Sequence, residues 1–221
     1  MTGSLAGTVA HDMNNILTVG CASAEMLLHT KGLDQEQTEL ASDIQETFKR
    51  IAELTRRLTN MGQAGTKGDL HPGELRSFLS TELEFARQHE KLRHCELRLD
   101  APEEVPLRMS EPFLQQMILN LLVNAAQAMQ GKGLIEIRLR RENKTAIVEV
   151  HDNGPGIPED QRPLVFDAFY TTKADGHGLG LLSVKAAVQM HRGRVVALAS
   201  PLGGACFRIT LPLETPTGAR S

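Results

Sequence analysis

Tryptophan is absent and tyrosine occurs once, so aromatic side chains are only 4% of the 221 residues. The interior must therefore be built mainly from aliphatic side chains. Three cysteines, Cys21, Cys95 and Cys206, share no CxxC or CxxH spacing, which suggests neither a disulfide framework nor a zinc motif. A reducing cytoplasm is the compartment such usage fits. Basic and acidic residues number 24 and 27, a net charge of −3, which gives no electrostatic case for a nucleic-acid partner. No stretch reaches the ~18 consecutive apolar residues of a membrane span, and the N-terminus lacks a signal-peptide pattern. Nowhere does a glycine-rich loop run into Gly-Lys-Ser/Thr, which excludes a Walker-type phosphate loop.

Glycine is plentiful, and it is clustered. Alternating Val148, Val150 and Asp152 read as a strand running into the turn Asp152-Asn-Gly-Pro-Gly156. A second cluster, Gly176-His-Gly-Leu-Gly180, leads into the apolar-periodic segment Leu181 to Met190. Glycines ahead of a helix leave backbone N–H groups free for phosphate oxygens, and the helix dipole favours the anion. Upstream, Ser110 to Met129 reads as a helix with Ser110 at the N-cap and Pro112 in the first turn. Phe113, Met117, Leu121 and Met129, widened by Leu114, Ile118, Leu122 and Ala125, form its apolar face. Gln116, Asn120, Asn124 and Gln127 form a stripe of amides on the other side, without the Lys and Glu of an ordinary solvated face. Amide oxygens in such a row suit a hard cation such as Mg²⁺.

Leu5 to His29 and Asp34 to Met61 read as two helices, the second with Asp34 at its N-cap. Leu40, Ile44, Thr47, Ile51, Leu54, Leu58 and Met61 alternate by four and three, a heptad seam. A lone hairpin cannot bury that seam, so pairing of two hairpins into a four-helix bundle is expected. The glycine-rich stretch 63–68 reads as a linker between a hairpin, 1–62, and a second domain, 69–213, with a disordered tail at 214–221. In the second domain a helix is expected from His71 to Glu90, then strands Glu96 to Leu99 and Val105 to Met109. After the amide-bearing helix come strands Leu134 to Arg140 and Ala146 to Val150. A helix from Leu179 to His191 follows, then a closing hairpin of Val195 to Ala199 and Ala205 to Leu211. The fold class is α+β: a helical hairpin, then an α/β sandwich with a mixed or antiparallel sheet. His29, His71, His89, His94 and His191 read as surface or local packing residues. His151 and His177 border the glycine turns, where they are candidates for a pocket wall.

Together these motifs resemble the sensor histidine kinases. Asn120-Leu-Leu-Val-Asn124, Asp152-Asn-Gly-Pro-Gly156, Phe166-Asp-Ala-Phe-Tyr-Thr-Thr-Lys173 and Gly176-His-Gly-Leu-Gly180 look like their N, G1, F and G2 boxes. Ala10-His11-Asp12-Met-Asn-Asn15, at the front of the hairpin, looks like their phosphoacceptor box. The ATP-binding part is shared with type II topoisomerases, a heat-shock chaperone and mismatch-repair ATPases. The resemblance covers roughly residues 5 to 213. It implies a homodimer in which ATP phosphorylates His11, and transfer from there to an aspartate on a response-regulator receiver domain. Asp12 would orient His11 or act as its base, and Asp12 with Asn15 would position water for dephosphorylating the partner. Asn124 would hold Mg²⁺, with Asn120 supporting it. Asp152 would accept from the adenine amine beside Gly154 and Gly156. Gly176, Gly178 and Gly180, with Leu181 opening the helix, would bring backbone to the phosphates. Gln127 stands where some relatives carry a basic residue, which leaves charge compensation to Lys173. With no sensor, membrane or receiver segment recognised, the chain is expected to be a core fragment or to take its signal through a partner. A phosphotransfer relay with a silent ATPase domain, or a clamp-like ATPase, are the competing classes.

Overall fold

The structure is a computed structural model; it describes residues 19–20, 22–28, 30, 33–45, 47–48, 70–167, 170–171, 178 and 180–213. Two compact units divide the chain, Met1–Thr66 and Lys67–Ser221.

In the first unit the described residues 22–28 and 35–45 are helical. Asp34 caps the second run: its Oδ1 accepts from the Gln37 N–H at 2.8 Å, and the Gln37 side chain accepts in return from the Asp34 N–H at 3.2 Å. This reciprocal capping box satisfies two donors that a helix start leaves orphaned. Small residues mediate the contact within the hairpin. Ala24 and Ala41 are buried, and a Cβ on Gly20 would lie 2.5 Å from the Phe48 ring. Val19, Met26, Leu27, Leu40 and Ile44 stay exposed. The expected seam therefore begins on an uncovered face of the single chain. Its remainder, from residue 51 onward, lies outside the described residues.

The second unit is a five-stranded mixed sheet with helices on one face. In chain order the elements are β1 (His71–Glu74), α1 (Leu75–Arg87), β2 (Cys95–Asp100), β3 (Pro106–Met109), α2 (Glu111–Ala128), β4 (Gly133–Glu142), β5 (Thr145–Asp152), a 3-10 turn (Leu164–Phe166), α3 (Gly180–Met190), β6 (Arg194–Ala199) and β7 (Ala205–Pro212). The sheet runs β2-β4-β5-β7-β6, with β2 and β4 parallel and every other pair antiparallel. A parallel pair needs a crossover, and α2 supplies it. The turn between β4 and β5 places Asn143 at φ 53°, a left-handed position asparagine tolerates. β1 and β3 form a separate two-stranded ribbon.

One expectation fails here. The helix read from His71 begins only at Leu75, because His71–Glu74 pairs with Pro106–Met109 instead. Pro72 and Gly73 resemble helix-start punctuation, but both also fit a strand with a free edge.

Side chains alternate across the strands. Ile135, Ile137 and Leu139 of β4, Ala146, Val148 and Val150 of β5, and Phe207, Ile209 and Leu211 of β7 face the helices and are buried. Leu114, Met117, Ile118, Leu121 and Leu122 of α2 meet them, as do Val184, Ala187 and Val188 of α3. Each Val, Leu, Ile, Met or Phe among them contributes about 1.5–3 kcal/mol on burial. The opposite face is polar: Arg98 pairs with Glu96, Arg138 with Glu136, Arg140 with Asp100 and Arg208 with Glu149. Among the described residues no helix is long and apolar enough to cross a membrane.

Candidate functional site

At the C-terminal end of β5 the chain delivers Asp152 into the helix-covered side of the sheet. The residue is 3% exposed, so its carboxylate needs built-in partners. Two backbone donors supply them: Gly154 N–H reaches Oδ1 at 2.9 Å, and Ala205 N–H of β7 reaches the same oxygen at 3.0 Å. One oxygen anchors the carboxylate, and the other, Oδ2, is left without a hydrogen bond among the described residues.

The turn beyond Asp152 packs on the end of α2. A Cβ on Gly154 would sit 3.0 Å from Asp152 Oδ1 and 3.1 Å from Met129 Cγ. Gly156 holds φ 76° and faces the Gly204 carbonyl, so both its backbone angle and its space favour glycine. Asn153 Oδ1 accepts from Leu134 N–H at 2.9 Å and ties the turn to β4.

The amide stripe of α2 forms the second wall. Gln116 donates to Asn120 Oδ1 at 3.0 Å, and Asn120 Nδ2 donates to the Gly180 carbonyl at 3.3 Å. A Cβ on Gly180 would lie 3.5 Å from Asn124 Nδ2. Asn120 and Asn124 are half-buried against the start of α3, whereas Gln127 is exposed. Gly178 has φ 64°, a left-handed angle just ahead of the helix, and Leu181 packs partly against the core. The structure thus gathers Asn120, Asn124, Asp152, Gly154, Gly156 and Gly180 around the junction of α2, the end of β5 and the start of α3. His11, Asp12, Asn15, Lys173 and Gly176 lie outside the described residues, as do His177, the linker 63–68 and the tail 214–221.

Three features escaped the sequence reading. A Cβ on Gly204 would fall 2.0 Å from Asp152 Oδ1 and 2.5 Å from Gly154 N, so this glycine lets β7 close on the carboxylate. In the sequence it reads only as the end of a hairpin turn. His151, a candidate for the pocket wall, faces the other side of the sheet from Asp152, as its neighbouring strand position dictates. It contacts Ser200, Glu149 and Cys206 there. Ser110 occupies the N-cap of α2 without a side-chain cap bond; its N–H donates instead to His191 Nε2 at 3.0 Å. A groove of about 560 Å³ on the other flank of α3, between Arg162, Lys185 and Arg194, touches none of the expected site residues.

Comparison with known proteins matches both units. Residues 1–67 match the His Kinase A (phospho-acceptor) domain family, and residues 109–215 match the histidine kinase-, DNA gyrase B-, and HSP90-like ATPase family. Sensor histidine kinase TmoS of Ectopseudomonas mendocina is 28% identical over 96% of this chain and 23% of its own length. The structure of the mycobacterial sensor histidine kinase MprB is 28% identical, with a TM-score of 0.58 over 65% of this chain and 97% of that one. Full-length ShkA in complex with AMPPNP shares the fold, with a TM-score of 0.73 over 99% of this chain and 47% of that one, at 24% identity. The chain spans less than half the length of the curated relatives it matches.

Proposed function

Because the chain belongs to the histidine kinases and carries their catalytic core, we propose that it uses ATP to phosphorylate His11 and passes the phosphoryl group to an aspartate of a response-regulator receiver domain. The observation that carries the nucleotide half is Asp152, a buried carboxylate anchored through one oxygen at a glycine turn. A carboxylate oxygen there accepts from the exocyclic amine of adenine; guanine offers a carbonyl at that position and is repelled. The first turn of α3 and the glycines at 176, 178 and 180 provide backbone N–H groups for the phosphates. Asn124 and Asn120 offer amide oxygens, a donor set that fits Mg²⁺, with Asn124 as its direct ligand. When bound, that ion neutralises phosphate charge. Gln127 stands where some relatives carry a basic residue, which leaves charge compensation to Lys173, and Leu181 packs the first turn of α3 partly against the core.

Phosphoryl transfer asks mainly for positioning and charge neutralisation. A neutral His11 imidazole attacks the γ-phosphorus as the bond to the β-phosphate oxygen breaks and ADP leaves. Asp12 takes the N–H of the other ring nitrogen and directs the attacking lone pair. Asp12 and Asn15, three residues apart in a segment whose sequence reads as helix, also suit the placement of a water that dephosphorylates the receiver. The working division is a dimerising hairpin at 1–62, a linker at 63–68, an ATP-binding domain at 69–213 and a tail at 214–221. Two hairpins form the bundle, in the cytoplasm where receiver domains operate.

Incubation with γ-labelled ATP and Mg²⁺ tests this. The expected label is acid-labile and base-stable, and it is lost in His11→Gln while nucleotide binding persists. A label that survives in His11→Gln assigns the phosphoacceptor elsewhere. Nucleotide turnover without any protein label would make the chain a clamp-like ATPase, and absence of both label and binding would make it a relay protein.

A further inference from the structure

β5 and β7 are direct neighbours, and their register sets His151 opposite Cys206 and Glu149 opposite Arg208. His151 and Glu149 are two residues apart, so they share a face with Cys206. That face is the one turned away from Asp152. One ligand atom from each of Glu149, His151 and Cys206 lies within 4.8 Å of the other two, the one such group of three His, Cys, Asp or Glu among the described residues. His151 Nε2 is 3.4 Å from Glu149 Oε2 and 3.9 Å from Cys206 Sγ. His151 and Cys206 are buried, at 3% and 1% exposure.

We propose that Glu149, His151 and Cys206 form a binding site for a zinc-class divalent cation on this second face of the sheet. Imidazole nitrogen, thiolate sulfur and carboxylate oxygen are the donor types zinc takes, and three of them leave one open position. Bond lengths of about 2.0–2.3 Å at a tetrahedral centre separate ligand atoms by roughly 3.3–3.6 Å. The observed spacing needs a contraction of at most about 1.5 Å, which a χ adjustment at Glu149 can supply.

Neighbouring groups already orient the three ligands, as outer-shell partners do at metal centres. Arg208 Nε donates to Glu149 Oε1 at 2.6 Å, which turns Oε2 toward the imidazole. Burial pushes the Glu149 carboxyl up, but the hydrogen bond and charge of Arg208 outweigh it and hold the group below the usual carboxylate range. Ser200 Oγ lies 3.3 Å from His151 Nδ1 and accepts from Leu202 N–H at 3.1 Å. With the ring proton on Nδ1, directed at Ser200, the Nε2 lone pair points at the cluster.

Burial pushes the Cys206 thiol up to about 12, so the metal-free protein holds it protonated. Binding breaks the S–H bond, forms the metal–sulfur bond and releases that proton to solvent. Apparent affinity then falls about tenfold for each pH unit lowered. The charged groups on the thiol's own face are Glu149 of β5, Arg208 of β7 and Arg138 of β4, and Asp152 acts on it more weakly from the opposite face of β5. Glu136 of β4 stands beside His151 in the ladder, and β6 contributes uncharged Leu198.

The test uses the full chain, stripped with a chelator, held under a non-thiol reductant and titrated with Co²⁺ alone. One equivalent should raise a thiolate-to-cobalt charge-transfer band, and Zn²⁺ should then bleach it. The double variant Cys21→Ser/Cys95→Ser keeps Cys206 as its sole cysteine and should retain the band. Cys206→Ser should lose it, and Glu149→Gln should bind about tenfold more weakly or worse. Failure of the double variant to show the band, or its persistence in Cys206→Ser, overturns the proposal. Should Cys206→Ser not fold by circular dichroism, the double variant alone decides. None of these readouts depends on nucleotide or on His11.

Discussion

Gly204 shows how narrowly the Asp152 site is built. Its N–H donates to the Asp152 carbonyl at 3.2 Å, and the next N–H, of Ala205, reaches Asp152 Oδ1. A methyl group at position 204 would meet backbone and carboxylate atoms at 2.0–2.6 Å, so β7 has to move. Gly204→Ala is expected to cost about 1–3 kcal/mol of stability and to weaken ATP binding at least tenfold. Thermal denaturation and a nucleotide titration read the two effects separately. Gly203→Ala is the matching control for bulk alone, because nothing lies within 4 Å of its Cβ position, although its φ of 104° adds strain.

Helices α2 and α3 are joined end to end by one side chain. His191 is 4% exposed; its Nδ1 donates to Ala187 O at 2.7 Å, and its Nε2 accepts from Ser110 N–H at 3.0 Å. The Ser110 bond requires the neutral ring, because a protonated Nε2 cannot accept; the Ala187 bond is open to either form. Burial pushes its pKa down, against the smaller opposing pull of the Ala187 carbonyl. Below about pH 6.5 the unfolded chain takes up a proton at this histidine that the folded chain resists. Its contribution to stability is therefore present above that pH and is lost as pH falls toward the depressed folded value. His191→Gln should cost about 1–3 kcal/mol at pH 7.5 and flatten the fall in melting temperature between pH 7 and pH 5. An unchanged slope in the variant would assign the acid sensitivity to another group.

The same element shows what a sequence discloses. Periodicity locates α3 to within a residue or so, and the glycines locate the turn at its start, because both are local properties. That His191 reaches back to residue 110 is not local, and a buried packing histidine spells the same as a surface one. Gly204 hides for the same reason: its necessity lies in a carboxylate 52 residues earlier. Cysteine spacing gives no hint of metal, yet the β5–β7 ladder sets His151 beside Cys206. The ribbon of His71–Glu74 was misread because its partner stands 32 residues away, past an intervening helix and strand. Which of two alternating residues faces the pocket follows once Asp152 is assigned, and that alone places His151 on the far face.

At the scale of the whole molecule, the first unit exposes more apolar surface than a single hairpin can cover. Leu40 is 61% exposed and Ile44 39%, one helical turn apart. Solvated charges there would remove the driving force for the proposed pairing of two hairpins. The double variant Leu40→Glu/Ile44→Glu is expected to halve the mass seen by light scattering while leaving the nucleotide affinity of the second unit within about twofold. A variant that remains dimeric would place the pairing surface elsewhere.

The order of strands in the sheet carries a consequence for synthesis. β7 is the last strand described along the chain, yet it sits inside the sheet, between β5 and β6. Until β7 has emerged from the ribosome, β5 has one neighbour and Asp152 lacks the Ala205 amide that anchors it. On the proposed function, a chain still lacking β7 would have an incomplete nucleotide site while His11 is already outside the exit tunnel. Competence would then arrive in one late step, when the closing hairpin inserts, and a prematurely terminated product would carry the proposed phosphoacceptor without the means to charge it.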